Sequence, residues 1–393
     1  MKFLKSKRVV LPNEVKPLIL AIQGTKIVGF LDYDTKLDEI IDYGNNRVMA
    51  GICDTHNHGT YGYSLDDRCN EDKVAIKQNI RHYLKALTYE GVTSGLPTVT
   101  DTIAELTEVV EEGFDGIRVL GIHSEGPYLN RVGEGGRPEP HPPVNLEFVQ
   151  KMVDDSKGLL KLVAISPEIE NSDKACEYLI SRGVRIAYAH SDCKSKEAKN
   201  ALKRGYTVST HTANVMVGLH HRDIGGLGVM LTDPNIQCEF ISDGLHVSMD
   251  FIDIMFRIKD KSKFMMVSDS VSLAGIAPGR YDTGWVTPLN VSKEGFVRDD
   301  DGRLMGSSKS VLYGVGNLVE KLHLPITEVS KLCSLNACEF YGFGHSKGSI
   351  EIGKDADLVV ISDDYEALAT YVEGSLIFDR KIETPIFNPN FKF

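Results

Sequence analysis

Apolar runs rich in β-branched residues recur along the middle of the chain, and each ends on a polar or ionisable residue. The runs close near His56 and His58 ("GICDTHNHG"), Thr98 ("GVTSGLPTVT"), Glu125 ("RVLGIHSEG") and Glu168 ("KLVAISPE"). Four more close near His190 ("VRIAYAHS"), His211 ("YTVSTHTAN"), Asp243 ("IQCEFISDG") and Asp269 ("FMMVSDS"). Most are separated by stretches of helical period. In "EDKVAIKQNIRHYLKALTYEG", Ile76, Ile80, Tyr83, Leu84 and Leu87 recur at helical spacing and Gly91 supplies a stop. "SDKACEYLISRG" and "KSKEAKNALKRG" end in the same way on Gly183 and Gly205. Strand and helix alternating eight times predict an α/β fold of the (β/α)8 TIM-barrel type, in which catalytic groups gather at the C-terminal ends of the strands.

The flanks carry a different pattern. Residues 1–50 and 346–393 contain short strands separated by turn residues. They predict a small β-sandwich domain built from both termini, with the barrel of residues 51–345 inserted between its halves.

Composition narrows the function. A chain of 393 residues suits one large domain and a smaller one, and 42% hydrophobic with 25% charged residues is ordinary for a soluble globular protein. A formal charge of −11 argues against nucleic acid or an anionic membrane as partner, so an anionic substrate would need a local basic patch. The seven cysteines are scattered, odd in number and without a C-x-x-C, which reads as reduced thiols. "MKFLKSKRVVLPNEVK" lacks the apolar core of a signal peptide, and no stretch is long enough to span a bilayer. A cytoplasmic, soluble protein is expected.

The chemistry lies in the strand ends. In an extended segment His56 and His58 would face one point, which suits a metal ion. Glu125, His190, His211 and Asp269 lie at the ends of other predicted strands, the third, fifth, sixth and eighth. A barrel would bring all six over one mouth, and His, Glu and Asp are the ligands that a hydrolytic divalent metal takes.

The segments "GICDTHNHG", "GIHSEGPYLN", "AYAHSD", "STHTANVM", "LHHRD", "ISDGLHV" and "MVSDS", followed by "GSIEIGKDADLVV", resemble the amidohydrolase superfamily. More narrowly they are similar to its N-acetylglucosamine-6-phosphate deacetylase family, from about residue 50 to 360 and in the same order. The resemblance implies metal-dependent hydrolysis of an acetamide, with Glu125, His190 and His211 as ligands of the principal ion. It implies that His56 and His58 hold a second ion in members with two, and that Asp269 is the general base. One or two divalent ions per subunit are expected; zinc suits the ligands, and iron, manganese or cobalt would also fit. The fourth strand ends "AISPE" without the lysine that bridges two metals in many amidohydrolases, which argues against a dihydroorotase- or hydantoinase-like enzyme.

For the carbonyl-polarising donor, the chain departs from the family's usual stretch and reads "RVGEGGRPEPHPP", which leaves His141 and Arg137 as candidates. For the sugar phosphate the resemblance points to Asn214, Val215, His246 and Arg222, the last reaching across a homodimer interface into the neighbouring site. His123 and Asp54 are expected in supporting roles. Three alternatives stay open: the galactosamine epimer as substrate, a deaminase or cyclic amidase on the same metal pair, and a sugar-phosphate binder without turnover. "HTANVM" departs from the family's usual form, so the sugar pocket is open to change.

Overall fold

Parallel strands spread through the middle of the chain carry the residues singled out above. In the computed structural model, residues 1–65, 72–132, 137–138, 142–282, 288–389 and 391 are described. The strands are β1 (Ile52–Asp54), β2 (Val92–Gly95), β3 (Ile122–Glu125), β4 (Leu160–Ile165), β5 (Arg185–Tyr188), β6 (Tyr206–Ser209), β7 (Gln237–Ile241) and β8 (Phe264–Val267). β3 to β8 pair in chain order as one six-stranded parallel sheet, half a barrel in extent. β1 and β2 pair in parallel and, with Arg118–Val119, make a three-stranded sheet. Hydrogen bonds also cross between the two sheets. The Val99 N–H donates to the His123 carbonyl at 2.9 Å, and the Asp269 N–H donates to the His56 carbonyl at 2.9 Å.

The alternation of side chains explains why these strands form and which way they face. In β4, Leu162 and Ala164 join an inner cluster with Cys53, Ala187, Val208 and Met265. Val163 and Ile165, their neighbours in sequence, belong to the outer cluster that meets the helices. Both faces are therefore apolar, as expected of parallel strands covered on each side. The expected helices form over Lys73–Ala86, Ser172–Ser181 and Ser195–Leu202. The first buries Ile76, Ile80, Tyr83 and Leu84, and a 3-10 turn (Leu87–Glu90) carries it to Gly91, which caps it at φ 77°.

The flanking strands lie in one eight-stranded sheet. Its order runs Ser375–Asp379, Ala367–Val372, Leu358–Ile361, Arg47–Ala50, Lys2–Val10, Val15–Gln23 and Lys26–Asp32, with Ile41–Asp42 pairing beside Lys2–Val10. The join between the two ends of the chain is the antiparallel pairing of Arg47–Ala50 with Leu358–Ile361. A buried lysine ties this sheet to the parallel strands. Lys347 Nζ lies 2.7 Å from Asp357, 3.1 Å from Asp355 and 3.2 Å from Glu373, and Glu373 in turn pairs with Arg118. Between β8 and the helix Val311–Lys321 the chain also builds a four-stranded antiparallel sheet from Gly279–Tyr281, Leu289–Val291, Phe296–Arg298 and Leu304–Ser307. It has its own small core of Val271, Leu273, Leu289, Val291 and Val297. The hydrophobic pattern of the sequence did not indicate it.

Candidate metal centre

Six side chains from five strands meet at one place. His56 and His58 follow β1 and lie just beyond it, since the strand ends at Asp54. Asp54 makes that exit. It is buried, takes the His56 N–H at 3.3 Å and accepts the Ser268 hydroxyl at 2.6 Å, which stitches the end of β1 to the end of β8. Burial pushes its carboxyl up to about 6 despite those hydrogen bonds. His190, His211 and Asp269 sit just past β5, β6 and β8 with φ of 47°, 29° and 48°. A side-chain-bearing residue adopts that left-handed region at a cost, and here it marks three of the five strand ends that meet in the cluster.

The geometry is organised around Glu125. One carboxylate oxygen, Oε1, lies 3.1 Å from His190 Nε2 and 2.9 Å from His211 Nε2, which are themselves 2.9 Å apart. The other, Oε2, lies 3.2 Å from His58 Nε2 and 3.5 Å from His56 Nε2. His56 and His58 present their Nε2 atoms to each other at 3.2 Å, and Asp269 Oδ1 is 3.5 Å and 3.3 Å from them. Ligand atoms about 2.0–2.1 Å from a tetrahedral ion are roughly 3.3 Å apart, so these separations fit a divalent ion in each half. Paired imidazole nitrogens and carboxylate oxygens are the donor chemistry such an ion requires.

Electrostatics follow from crowding these groups out of water. Burial alone would disfavour charge on His56 and His58, but the carboxylates of Glu125 and Asp269 outweigh it. They hold His56 well above the usual imidazole range and His58 at about 9. Burial likewise opposes charge on Glu125 and Asp269, and the surrounding imidazoles overcome it, so both carboxyls lie well below their ordinary range. Asp269 is therefore kept ionised.

The remaining predicted residues distribute unevenly. His123 is buried, its Nδ1 donating to the Thr55 carbonyl at 3.1 Å and its ring meeting His56 edge-on at 4.6 Å. Burial drives its pKa well below the ordinary value. Asn214 follows His211 and donates Nδ2 to the His211 carbonyl at 3.0 Å. Val215, at φ 50°, takes the Ser191 N–H on its carbonyl at 3.0 Å. His246 follows β7, with Nδ1 2.8 Å from Asp243 Oδ2, which also accepts the Ser307 hydroxyl at 2.9 Å. Arg222 is exposed on a turn, with Nη1 2.7 Å from His221 Nε2, and no contact among the described residues joins it to the metal-ligand cluster. His141 lies outside the described residues, as does the side chain of Arg137, whose backbone pairs with Val132. Glu168, in the turn after β4, holds the loop after His190 through Ser191 Oγ at 2.8 Å and the Asp192 N–H at 2.7 Å.

One buried acid escaped the reading of strand ends. Glu239 lies inside β7, fully buried, with Oε2 3.3 Å from His56 Nδ1 and Oε1 accepting the Thr55 hydroxyl at 3.1 Å. The available signal was an ionisable residue in the middle of the apolar run "IQCEFI".

Comparison with known proteins shows what the chain is similar to. Residues 47–382 match the family model described as the amidohydrolase family. The N-acetylglucosamine-6-phosphate deacetylase of Vibrio furnissii is 30% identical over 344 residues, 87% of this chain and 85% of that protein. The N-acetylgalactosamine-6-phosphate deacetylase of Escherichia coli O157:H7 is 29% identical over 337 residues, 84% of this chain and 87% of the relative. Among solved structures, N-acetylglucosamine-6-phosphate deacetylase from Pasteurella multocida superposes with a TM-score of 0.83 over 95% of this chain and 99% of that one. At 24% identity that likeness speaks to the fold.

Proposed function

The chain belongs to the amidohydrolase family, and from that premise we propose that it hydrolyses the acetamide of N-acetylglucosamine 6-phosphate to glucosamine 6-phosphate and acetate. The observation that carries the reading is the double-sided Glu125, with two histidines gathered at each of its oxygens. Glu125, His190 and His211 would hold one divalent ion, and His56 and His58, sharing Glu125, a second. Zinc suits this set of ligands, with iron, manganese or cobalt as the alternatives. When bound, a divalent ion acidifies water and polarises a carbonyl, the two deficiencies of amide hydrolysis.

The chain's own residues do the rest. Asp269, held ionised, takes a proton from the attacking water. It returns that proton to the amine nitrogen as the C–N bond breaks. Asn214, the backbone at Val215, and His246 follow β6 and β7 and would contact the sugar phosphate. Arg222, a planar cation suited to bidentate phosphate contacts, would act from the partner copy of a homodimer. His141 or Arg137 would polarise the acetyl carbonyl. β1 to β8 would close as one (β/α)8 barrel over residues 51–345, with the terminal segments 1–50 and 346–393 as a separate β domain, folded as a sandwich. A cytoplasmic setting suits the reduced cysteines.

A second reading, the galactosamine epimer, has support in the E. coli relative at 29% identity and in the altered "HTANVM" segment. An acetate-release assay on both phosphosugars and their unphosphorylated forms, with metal analysis of the same sample, separates these readings. Turnover of a phosphorylated sugar by protein carrying divalent metal is expected. Acetate from neither phosphosugar would sink the proposal, and equal turnover without the phosphate would favour another amidohydrolase activity.

A further inference from the structure

Glu239 is a carboxylate removed entirely from water, and such a group persists only where paired and hydrogen-bonded. Its two oxygens meet Thr55 Oγ1 and His56 Nδ1. We infer that Glu239 is a positioning residue that presents Nε2 of His56 as a metal ligand and thereby supports the His56–His58 half of the centre selectively. This rests on the reading of that centre as a metal site.

The inference follows from what each atom can do. Glu239 Oε2 faces Nδ1 at 3.3 Å as a hydrogen-bond acceptor, so Nδ1 is the nitrogen that donates and Nε2 the one left to ligate. When an ion displaces the proton on Nε2, the ring's lone pair would lie on that atom, which points into the cluster of His58, Glu125 and Asp269. A carboxylate behind a ligating imidazole fixes the tautomer, orients the ring and raises its basicity. The same shell is braced twice, because Thr55 gives its hydroxyl to Glu239 and its carbonyl to His123, which packs against His56.

His211, in the other half, differs. His211 Nδ1 is buried with no hydrogen-bond partner among the described residues, so no carboxylate supports that ring. A rival arrangement would make Glu239 itself a ligand, since His56, His123 and Glu239 place donor atoms within 4.8 Å of one another. That use of Nδ1 would withdraw His56 from the four-residue cluster that its Nε2 already faces, unless the ring lost both protons.

Zinc affinity measured by competition with a chromophoric chelator decides the matter, on the full chain and without reference to turnover. The set is wild type, Glu239→Gln, Thr55→Val, His58→Asn, His190→Asn and His58→Asn/Glu239→Gln. The ion lost in His58→Asn is expected to bind about 10- to 100-fold more weakly in Glu239→Gln. The ion that remains in His58→Asn should be untouched by adding Glu239→Gln. Thr55→Val should shift the same ion in the same direction by less, and it carries the test if Glu239→Gln does not fold. A general structural lesion would instead weaken both ions, and that outcome overturns the inference, as does an unchanged affinity or a His58→Asn variant that loses no ion. A wild type that takes up no zinc overturns the metal centre itself, a failure distinct from the others.

Discussion

Asp269 has the most exacting job of any single side chain in the site. It stands 3.3 Å from His58 and 3.5 Å from His56, and the imidazoles around it keep it ionised. Replacing it by Asn preserves shape and removes the proposed proton acceptor. Asp269→Asn is expected to lower the rate of acetate release by about 10²- to 10⁴-fold, the usual worth of a positioned acid–base group. Calorimetry should find phosphosugar binding nearly unchanged; equal loss of both would show that the residue serves binding. The six clustered residues were legible in the sequence because each stands where an apolar run breaks, and a break by an ionisable group is visible without a structure. His56 and His58 converge by a different route from the simple one, since they lie beyond the strand and not along it. Glu239 was not legible by that rule. It interrupts a run from within, where a buried acid and an ordinary exposed position look alike until the facing residue is known.

Among elements, the join of β1 and β2 governs how accurately His56 is held. Gly95 closes β2 against β1, and a Cβ there would lie 2.0 Å from the Asp54 carbonyl oxygen. That oxygen accepts the Leu96 N–H at 3.0 Å, so it has little freedom to move. Gly95→Ala should destabilise the fold by about 1–3 kcal/mol or more, as overpacking does. It should also weaken metal binding, since β1 must shift and His56 is two residues beyond it. Thermal unfolding and chelator competition on the same variant check both effects. The helices were readable element by element because a period of 3.6 and a terminal glycine survive over eight to fourteen residues. The antiparallel sheet of residues 279–307 was not, since strands of three or four residues are too short to show a period of two.

At the level of the whole molecule, two features bind the parts. The first is the proposed metal centre, whose side chains come from the ends of β1, β3, β5, β6 and β8 at once. Stripping a divalent ion held at a thousand times its Kd removes about 4 kcal/mol of stability. Chelation should therefore lower the melting temperature as well as abolish acetate release, and adding back metal should restore both. The second is Lys347, buried among Asp355, Asp357 and Glu373. Lys347→Met would leave buried carboxylates without their cation, a loss of about 3–5 kcal/mol near neutral pH. The pH dependence has a definite sign. Burial already raises the Asp357 carboxyl despite the lysine, and without the lysine it rises further. A carboxyl raised in the folded state binds more protons there than in the unfolded chain, so stability falls as pH rises through its folded pKa. The deficit of Lys347→Met should shrink between pH 8 and pH 5, read as the difference in melting temperature from wild type. The short strands of both flanks were readable from their composition, where a sandwich was expected, but their sharing of one eight-stranded sheet and its order were not, because pairing partners hundreds of residues apart leave no local trace. That pairing also sets a timetable. Ala50 waits for Leu358. During synthesis the early strands emerge long before the segment that completes their sheet, and their unsatisfied edge is open to wrong company in the interval. A chaperone that shields that edge should therefore raise the yield of this protein more than it raises its final stability.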